Sequence, residues 1–279
     1  MPHFLSLAGH ASVILLEVIA LVWLGQRALE LASRTRFRQE LKADNPAAGV
    51  AVAGVYLSLF IALSGLLSGE AVALVDDLRI TALHGLAAIA ALILSAFLCR
   101  PILHLRFRED VLAARNLGAG LVVASVLIAT GLVYRGAVHL QDARPGIVGA
   151  FFALGEGALF AYLLAYQWLT PYDVVGEIAE KSNLAAAISF SGATIAAGLI
   201  VGNAVEGEFT DWRESIQEAF LYMTPLLALP LTRWAVVNGL ILGFGSVNRQ
   251  VAEERNPGAG LVEAAAYIGV ALFAVHLIG

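Results

Sequence analysis

A six-residue motif that returns four times limits what this chain can fold into. It reads DNPAAG at Asp44–Gly49, RNLGAG at Arg115–Gly120, SNLAAA at Ser182–Ala187 and RNPGAG at Arg255–Gly260. Its asparagines, Asn45, Asn116, Asn183 and Asn256, are 71, 67 and 73 residues apart. Each copy opens a long apolar run. Self-similarity at a fixed period means one supersecondary unit used repeatedly, here a unit of roughly 70 residues.

Composition says which solvent the unit meets. Hydrophobic residues make up 59% of the chain, charged residues 14%, and the mean hydropathy is +0.80. A soluble domain carries ~25% charged residues, so a water-soluble globule is excluded. A helix needs ~20 apolar residues to cross the hydrocarbon core. Eight segments qualify, at roughly 9–31, 45–69, 79–99, 116–138, 146–170, 183–205, 217–243 and 256–278. The expected fold is an all-α integral membrane protein whose eight transmembrane helices form four parallel two-helix repeats. An offset of about 139 maps Glu17 onto Glu156 and Asn45 close to Asn183. The units therefore pair into halves, 1–140 (repeats 1–75 and 76–140) and 141–279 (repeats 141–210 and 211–279). Two helices per unit make the repeats parallel, related by an axis along the membrane normal. The first segment lacks a charged n-region and a small-residue cleavage site, and reads as a retained helix.

Lys and Arg set the expected orientation. Twelve flank the ends of spans one, three, five and seven, against four (Arg79, Arg135, Arg144, Arg213) on the other side. That bias puts the asparagine motifs in the cytoplasm and both termini outside, in the periplasm of a bacterial inner membrane. The acidic outer stretch Glu206–Glu218, with Trp212, reads as an interfacial helix or a solvated loop. Trp23, Tyr56, Tyr134, Trp168, Tyr172 and Trp212 read as interface anchors. A net charge of −5 with no basic stripe excludes a nucleic-acid partner. Cys99 is the single cysteine, so there is no intramolecular disulfide and no thiolate metal cage.

Asparagine is a preferred N-cap and proline a preferred first helical residue, as in Asn45-Pro46 and Asn256-Pro257. Leu117 and Leu184 replace that proline in the other copies. Four and eight residues after each asparagine come Gly49 and Ala53, Gly120 and Ala124, Ala187 and Ser191, Gly260 and Ala264. Small residues at this spacing let helix backbones approach closely. They point to an inner ring, or a pseudo-symmetric pair of dimers, of the even-numbered helices. Caps and close packing account for the motif; four positive helix ends gathered to meet an anion would be its functional use.

The runs DNPAAGVAVAGVYLSLFIALSG, RNLGAGLVVASV, SNLAAAISFSGATIAAG and RNPGAGLVEAAAY resemble a bacterial inner-membrane family known as domain of unknown function 350. With the odd helices the resemblance covers nearly the whole chain, which is similar to two such domains fused in tandem. It implies an inner-membrane location and a link to envelope maintenance, and no chemistry.

Ionisable residues inside a span are costly and mark function by default. Glu17 and Glu156 occupy equivalent places in the two halves and can carry a proton or await a cation. The plain alternative is a protonated glutamate bonded to a neighbouring helix. Arg233 and Glu263 fall on neighbouring spans at depths a long arginine can reconcile, as an ion pair that gates or simply neutralises. Their first-half counterparts are Leu94 and Val123. The seventh span, with Pro225, Pro230, Asn238-Gly239 and Gly243, should kink; broken spans mark binding sites in transporters, and a packed kink is the plain alternative.

Five of six histidines, His3, His10, His84, His139 and His276, fall toward the outer side, without ligand spacing, so no metal is expected. No HExxH, GxSxG or P-loop occurs, the glycines of Gly243-Phe244-Gly245-Ser246 do not make a nucleotide site, and neither an enzyme nor a cofactor is expected. The leading expectation is an ion- or proton-conducting channel or transporter component. The rival is a non-transporting scaffold whose basic loops recruit a cytoplasmic protein or hold anionic lipid. The partners expected are the bilayer, a second copy in a homo-oligomer, and such a cytoplasmic protein.

Overall fold

A computed structural model describes residues 2–68, 73–139, 144–241 and 246–278, with side chains from Gly9 onward except at 67, 68, 236, 240 and 241. The His3 side chain and the Gly243-Phe244-Gly245 segment lie outside the described residues. Every regular element among them is helical: α1 (Pro2–Ser33), α2 (Phe37–Lys42), α3 (Pro46–Ser64), α4 (Leu74–Leu103), α5 (Leu117–Val138), α6 (Pro145–Leu169), α7 (Val174–Ala179), α8 (Leu184–Ala204), α9 (Trp212–Tyr222), α10 (Leu229–Thr232) and α11 (Pro257–Ile278). Among the described residues, eight helices are long and apolar enough to cross a membrane. The seventh, Trp212–Gly239, is α9 and α10 joined through a tight turn at Thr224–Ala228 and continued by a π-helical stretch from Arg233. Pro225 and Pro230 supply no backbone donor there, which is why the regular α-helical ladder breaks. The chain is thus a multi-pass membrane protein.

The motif acts where the sequence places it. Asn45, Asn116 and Asn183 have extended backbones, and each side-chain oxygen accepts the N–H three residues on, from Ala48, Ala119 and Ala186. The preceding residue, Asp44, Arg115, Ser182 or Arg255, is left-handed at φ of 51°, 52°, 50° and 49°. It ends one helical segment so that the asparagine can begin the next.

The even-numbered spans stand in a row in chain order, α3 against α5, α5 against α8, α8 against α11. A Cβ on Gly120 would lie 2.7 Å from the Ala47 carbonyl oxygen, and one on Gly131 would lie 2.5 Å from that of Ser58. The same approach recurs between α5 and α8, where Gly198 faces Ala129 at 2.6 Å, and between α8 and α11, where Gly260 faces Ala185 at 2.5 Å. Contacts advance in the same sense along both partners, so neighbours are parallel. α1, α4 and α6 pack against one side of the row. The other side is bare: in α5 the half-exposed residues are Leu117, Leu121, Ile128, Leu132 and Arg135.

A row replaces the expected ring or pair of dimers for a geometric reason. The small residues four and eight places after the asparagine face the previous helix, while others, two and nine places after it, face the next. One helix therefore has two packing faces, and the chain order is the spatial order. Gly120, Ala187 and Gly260 are close-packing residues, Ala187 against Gly118. Gly49 is not: the first helix of the row has no predecessor, and only the Leu41 side chain comes near it.

One further expectation changes, and one left open is narrowed. Tyr134 is not an interface anchor, since it is buried and its hydroxyl donates to the His84 carbonyl at 3.0 Å. From Trp212 the acidic stretch is helical, capped by Asp211, with the indole stacked on Phe151.

Gly198→Val should separate α5 from α8, because its Cβ would collide with backbone; overpacking of this kind costs ~1–3 kcal/mol. Thermal unfolding in detergent should fall by several degrees, whereas Gly149→Ala, with open space around its Cβ, should leave the midpoint unchanged.

Candidate functional site

Each motif asparagine has an amide as well as an oxygen, and the amide reaches forward along the chain. Asn45 Nδ2 donates to the Leu112 carbonyl at 3.0 Å, Asn116 to that of Ile178 at 2.7 Å, and Asn183 to that of Val251 at 2.9 Å. The acceptors all lie in the turn that precedes the next motif. Asn45 and Asn183 also donate to Glu40 and Glu177, each at 2.9 Å. Asn256 stands at the end of the row. It is exposed, caps Gly258 rather than the third residue, and donates to Gln250 of its own turn at 3.0 Å. The three buried asparagines thus cap their own helices and join successive turns; sequence alone suggested only the capping.

Glu177, in α7 outside the spans, holds this turn together. Burial would raise its carboxyl, but donors from Lys181 at 2.6 Å and Asn183 outweigh that and hold it below the usual carboxylate range.

Within the spans, Arg233 Nε lies 2.9 Å from Glu263 Oε1, and Glu263 is fully buried. Tyr267 donates to the same oxygen at 3.2 Å. The guanidinium donates to Thr170 at 3.2 Å and Tyr172 at 3.4 Å, and lies over the Tyr172 ring. The Arg233–Glu263 approach is a contact of charges rather than an aligned hydrogen bond, because Nε has no acceptor in line. Among the described residues Glu263 Oε2 and the Tyr162 hydroxyl are buried without an aligned hydrogen-bond partner, although the Ser189 hydroxyl lies close to the Glu263 carboxyl, and Tyr162 is within electrostatic reach of both charges. Tyr166 packs edge-on to Tyr267 and shares a hydrogen bond with Ser189 at 3.0 Å. Of these tyrosines sequence singled out Tyr172 alone, as an interface anchor; the excess of Tyr in the second half was the available signal.

A cleft of about 840 Å3 opens at the motif face, lined by Tyr172, Glu177, Lys181, Asn248, Arg249 and Arg255 among others. Tyr172 separates it from Arg233. Neither Glu17 nor Glu156 lines it.

Glu156 is buried where the halves meet. Its Oε1 accepts from Ser95 on α4 and from Thr130 on α5, the latter at 2.9 Å, while its Oε2 has no partner among the described residues. Glu17 occupies the corresponding place on α1 but is half-buried, again with Oε2 unpartnered. The structure therefore does not bring the two glutamates into one site. Among the described residues no group of three or more His, Cys, Asp and Glu side chains could hold a metal ion.

The repeated architecture has a counterpart among known families. The family described as Domain of Unknown Function (DUF350) matches twice, over residues 3–138 and 143–278. The chain belongs to that family. It is a tandem of two DUF350 domains, and the polar cluster around Arg233 and Glu263 lies within the second. No curated protein and no solved structure matches the tandem.

Two measurements test the turn chemistry. Asn183→Ala removes a cap and leaves the Val251 carbonyl unpaired, at a cost of ~2 kcal/mol, whereas Asn256→Ala, already exposed, should cost well under half of that. Thermal unfolding in detergent should rank them so. Because the folded carboxyl of Glu177 titrates below its unfolded value, its stabilisation is complete above the usual carboxylate range and is lost as pH falls through the lowered folded value. Glu177→Gln should therefore flatten the acid limb of the stability profile.

Proposed function

We propose that this multi-pass protein, built as four parallel two-helix repeats, conducts or carries protons or small ions across the bacterial inner membrane, in support of envelope homeostasis. In this reading the motif face is cytoplasmic, the termini are outside, and the protein is not an enzyme. The observation that carries it is the fully buried Glu263, with one oxygen lacking an aligned hydrogen-bond partner among the described residues, facing Arg233 on a broken span one residue behind an open cleft. Intramembrane charges are retained at a cost, and π-helical segments and interrupted spans recur at functional sites. Protonating Glu263 would leave Arg233 without its counter-charge, so the centre changes state only together with a bound ion or a movement of the seventh span. Glu156, buried between the halves with a free oxygen, is the second proton-carrying candidate; the half-buried Glu17 supports the reading less.

A second reading, a non-transporting scaffold, is supported by a cleft of about 1250 Å3 on the first half. Arg27, Arg34, Arg36, Arg38, Lys42 and Arg108 line it. That surface suits an acidic protein partner or anionic lipid, and the reading predicts a dry core with a partner that copurifies.

Proton and cation flux into liposomes holding the purified protein separates the two. Glu263→Gln alone should destabilise, since it leaves a buried arginine unpaired at ~3–5 kcal/mol. The paired Arg233→Met, Glu263→Gln variant removes both charges and should fold. It should lower flux at least tenfold, as should Glu156→Gln. Wild-type protein with no flux under either gradient, or unchanged flux in folded variants, would sink the transport reading.

A further inference from the structure

The row of even helices has two free ends that match each other. In each internal joint, the residue two places after one asparagine meets the residue four places after the next: Ala47 on Gly120, Gly118 on Ala187, Ala185 on Gly260. Higher up, Gly54 meets Ala124 and Gly192 meets Ala264, nine places against eight. Higher still, Ser58 meets Gly131 and Ala129 meets Gly198, thirteen against fifteen. The same positions exist at both ends of the row without a partner. On α11 they are Gly258, Ala265 and Gly269, all exposed. On α3 they are Gly49, half-exposed, and Ala53 and Phe60, exposed. Phe60 is the one large member, and it stands opposite the position that is glycine on α11.

A separate, polar observation agrees. Asn45, Asn116 and Asn183 each donate to a carbonyl in the following turn, while Asn256 donates, among the described residues, to Gln250 of its own turn. The equivalent acceptors at the other end of the row are the carbonyls of Glu40 and Leu41, ahead of the first motif. One end carries an asparagine amide with no acceptor across a joint, and the other carries a turn whose carbonyls accept, among the described residues, only from backbone N–H groups of their own turn, Ala43, Asp44 and Asn45.

We infer that a second copy of this chain continues the row, α11 of one copy packing on α3 of the next through Gly258, Ala265 and Gly269 against Gly49, Ala53 and Phe60. Asn256 then donates to the Glu40–Leu41 turn of the neighbouring copy. The interface is head-to-tail, the same joint that the chain makes three times within itself. Lipid competes for both surfaces, but close approach of small residues, with an amide to satisfy, is what draws helices together in hydrocarbon. At 3.6 residues per turn, the two packing faces of one helix lie about 140° apart round its axis, so the row bends by about 40° at each step. A row with that bend closes after about eight or nine helices, and two copies supply eight, the closed form of a heterologous joint. α1, α4 and α6 lie on the convex side, and the bare face of Leu121, Ile128 and Leu132 on the concave side, so nothing described obstructs closure.

The inference does not depend on the transport reading. Its test uses the full chain in native membranes on a Cys99→Ala background. Ala53→Cys and Ala265→Cys are placed together in one chain, and also singly in two co-expressed chains carrying different tags. Oxidation should give a covalent dimer in both cases and none with either single variant alone. Within one chain the two positions stand at opposite ends of the row and cannot meet. Absence of the dimer in the double variant, with the cysteines still reacting with maleimide, would overturn the inference and leave lipid as the cover. Dimers from a single variant alone would also overturn it, since they require a face-to-face joint. Light scattering of the solubilised wild-type protein should give the mass of two copies, and Ala265→Trp that of one. A single-copy mass for wild type, or two copies retained by the tryptophan variant, would contradict it.

Discussion

Backbone contact between parallel helices is the constraint on which the rest of this structure depends. In hydrocarbon there is no hydrophobic gain from helix association, so dispersion at short range and satisfied polar groups must hold the row together. Glycines and alanines at two faces of each even helix allow the first; Gly54 against Ala124 and Gly198 against Ala129 leave no room for a Cβ. Parallel packing has an electrostatic consequence. All four positive helix ends lie at one face, where they repel. The asparagine oxygens bond the exposed N–H groups there, and Glu40 and Glu177 bring negative charge to the same layer. One small polar residue per repeat thus stands where packing, capping and charge meet.

The two DUF350 domains share this frame and fill it differently. Where the second domain has Arg233, Glu263 and Tyr267, the positions about 140 residues earlier hold Leu94, Val123 and Leu127. Gly25, Leu59, Ile89 and Leu127 border a small apolar void in the first domain. In the second, Glu263 and Tyr267 on the same helix of the row are fully buried in a polar cluster. Duplication kept the joints, which need small residues at fixed heights, and left the space between row and outer helices free to diverge.

Much of the frame was legible in the residues because it rests on local chemistry. A run such as Pro46–Ser64 is apolar over the length a bilayer demands, and an asparagine before proline or leucine announces a helix start. Small residues at positions four and eight announced close packing without saying against what. A helix with one small face can only pair, whereas one with two continues a row, and seeing the second face at Ala47, Gly54 and Ser58 requires knowing which helix is next door. The Arg233–Glu263 contact followed from depth counting along antiparallel spans. The surrounding tyrosines did not, because an aromatic residue near a span end reads equally as an interface anchor, as Tyr172 and Tyr134 did. Glu17 and Glu156 show the limit of reasoning from duplication: equivalent positions received different burial, since α6 lies against both α5 and α8 whereas α1 lies at the end of the row.

The forward reach of the asparagine amides gives the molecule a direction in time as well as in space. Asn45 finds its carbonyl only at Leu112, Asn116 only at Ile178, and Asn183 only at Val251. Synthesis delivers those acceptors in the same order. Each of the first three repeats leaves the ribosome with a donor that the following repeat completes, so a chain arrested within them is left with an unfilled end. Fidelity of assembly is then a matter of sequence adjacency: the right partner is the one that arrives next.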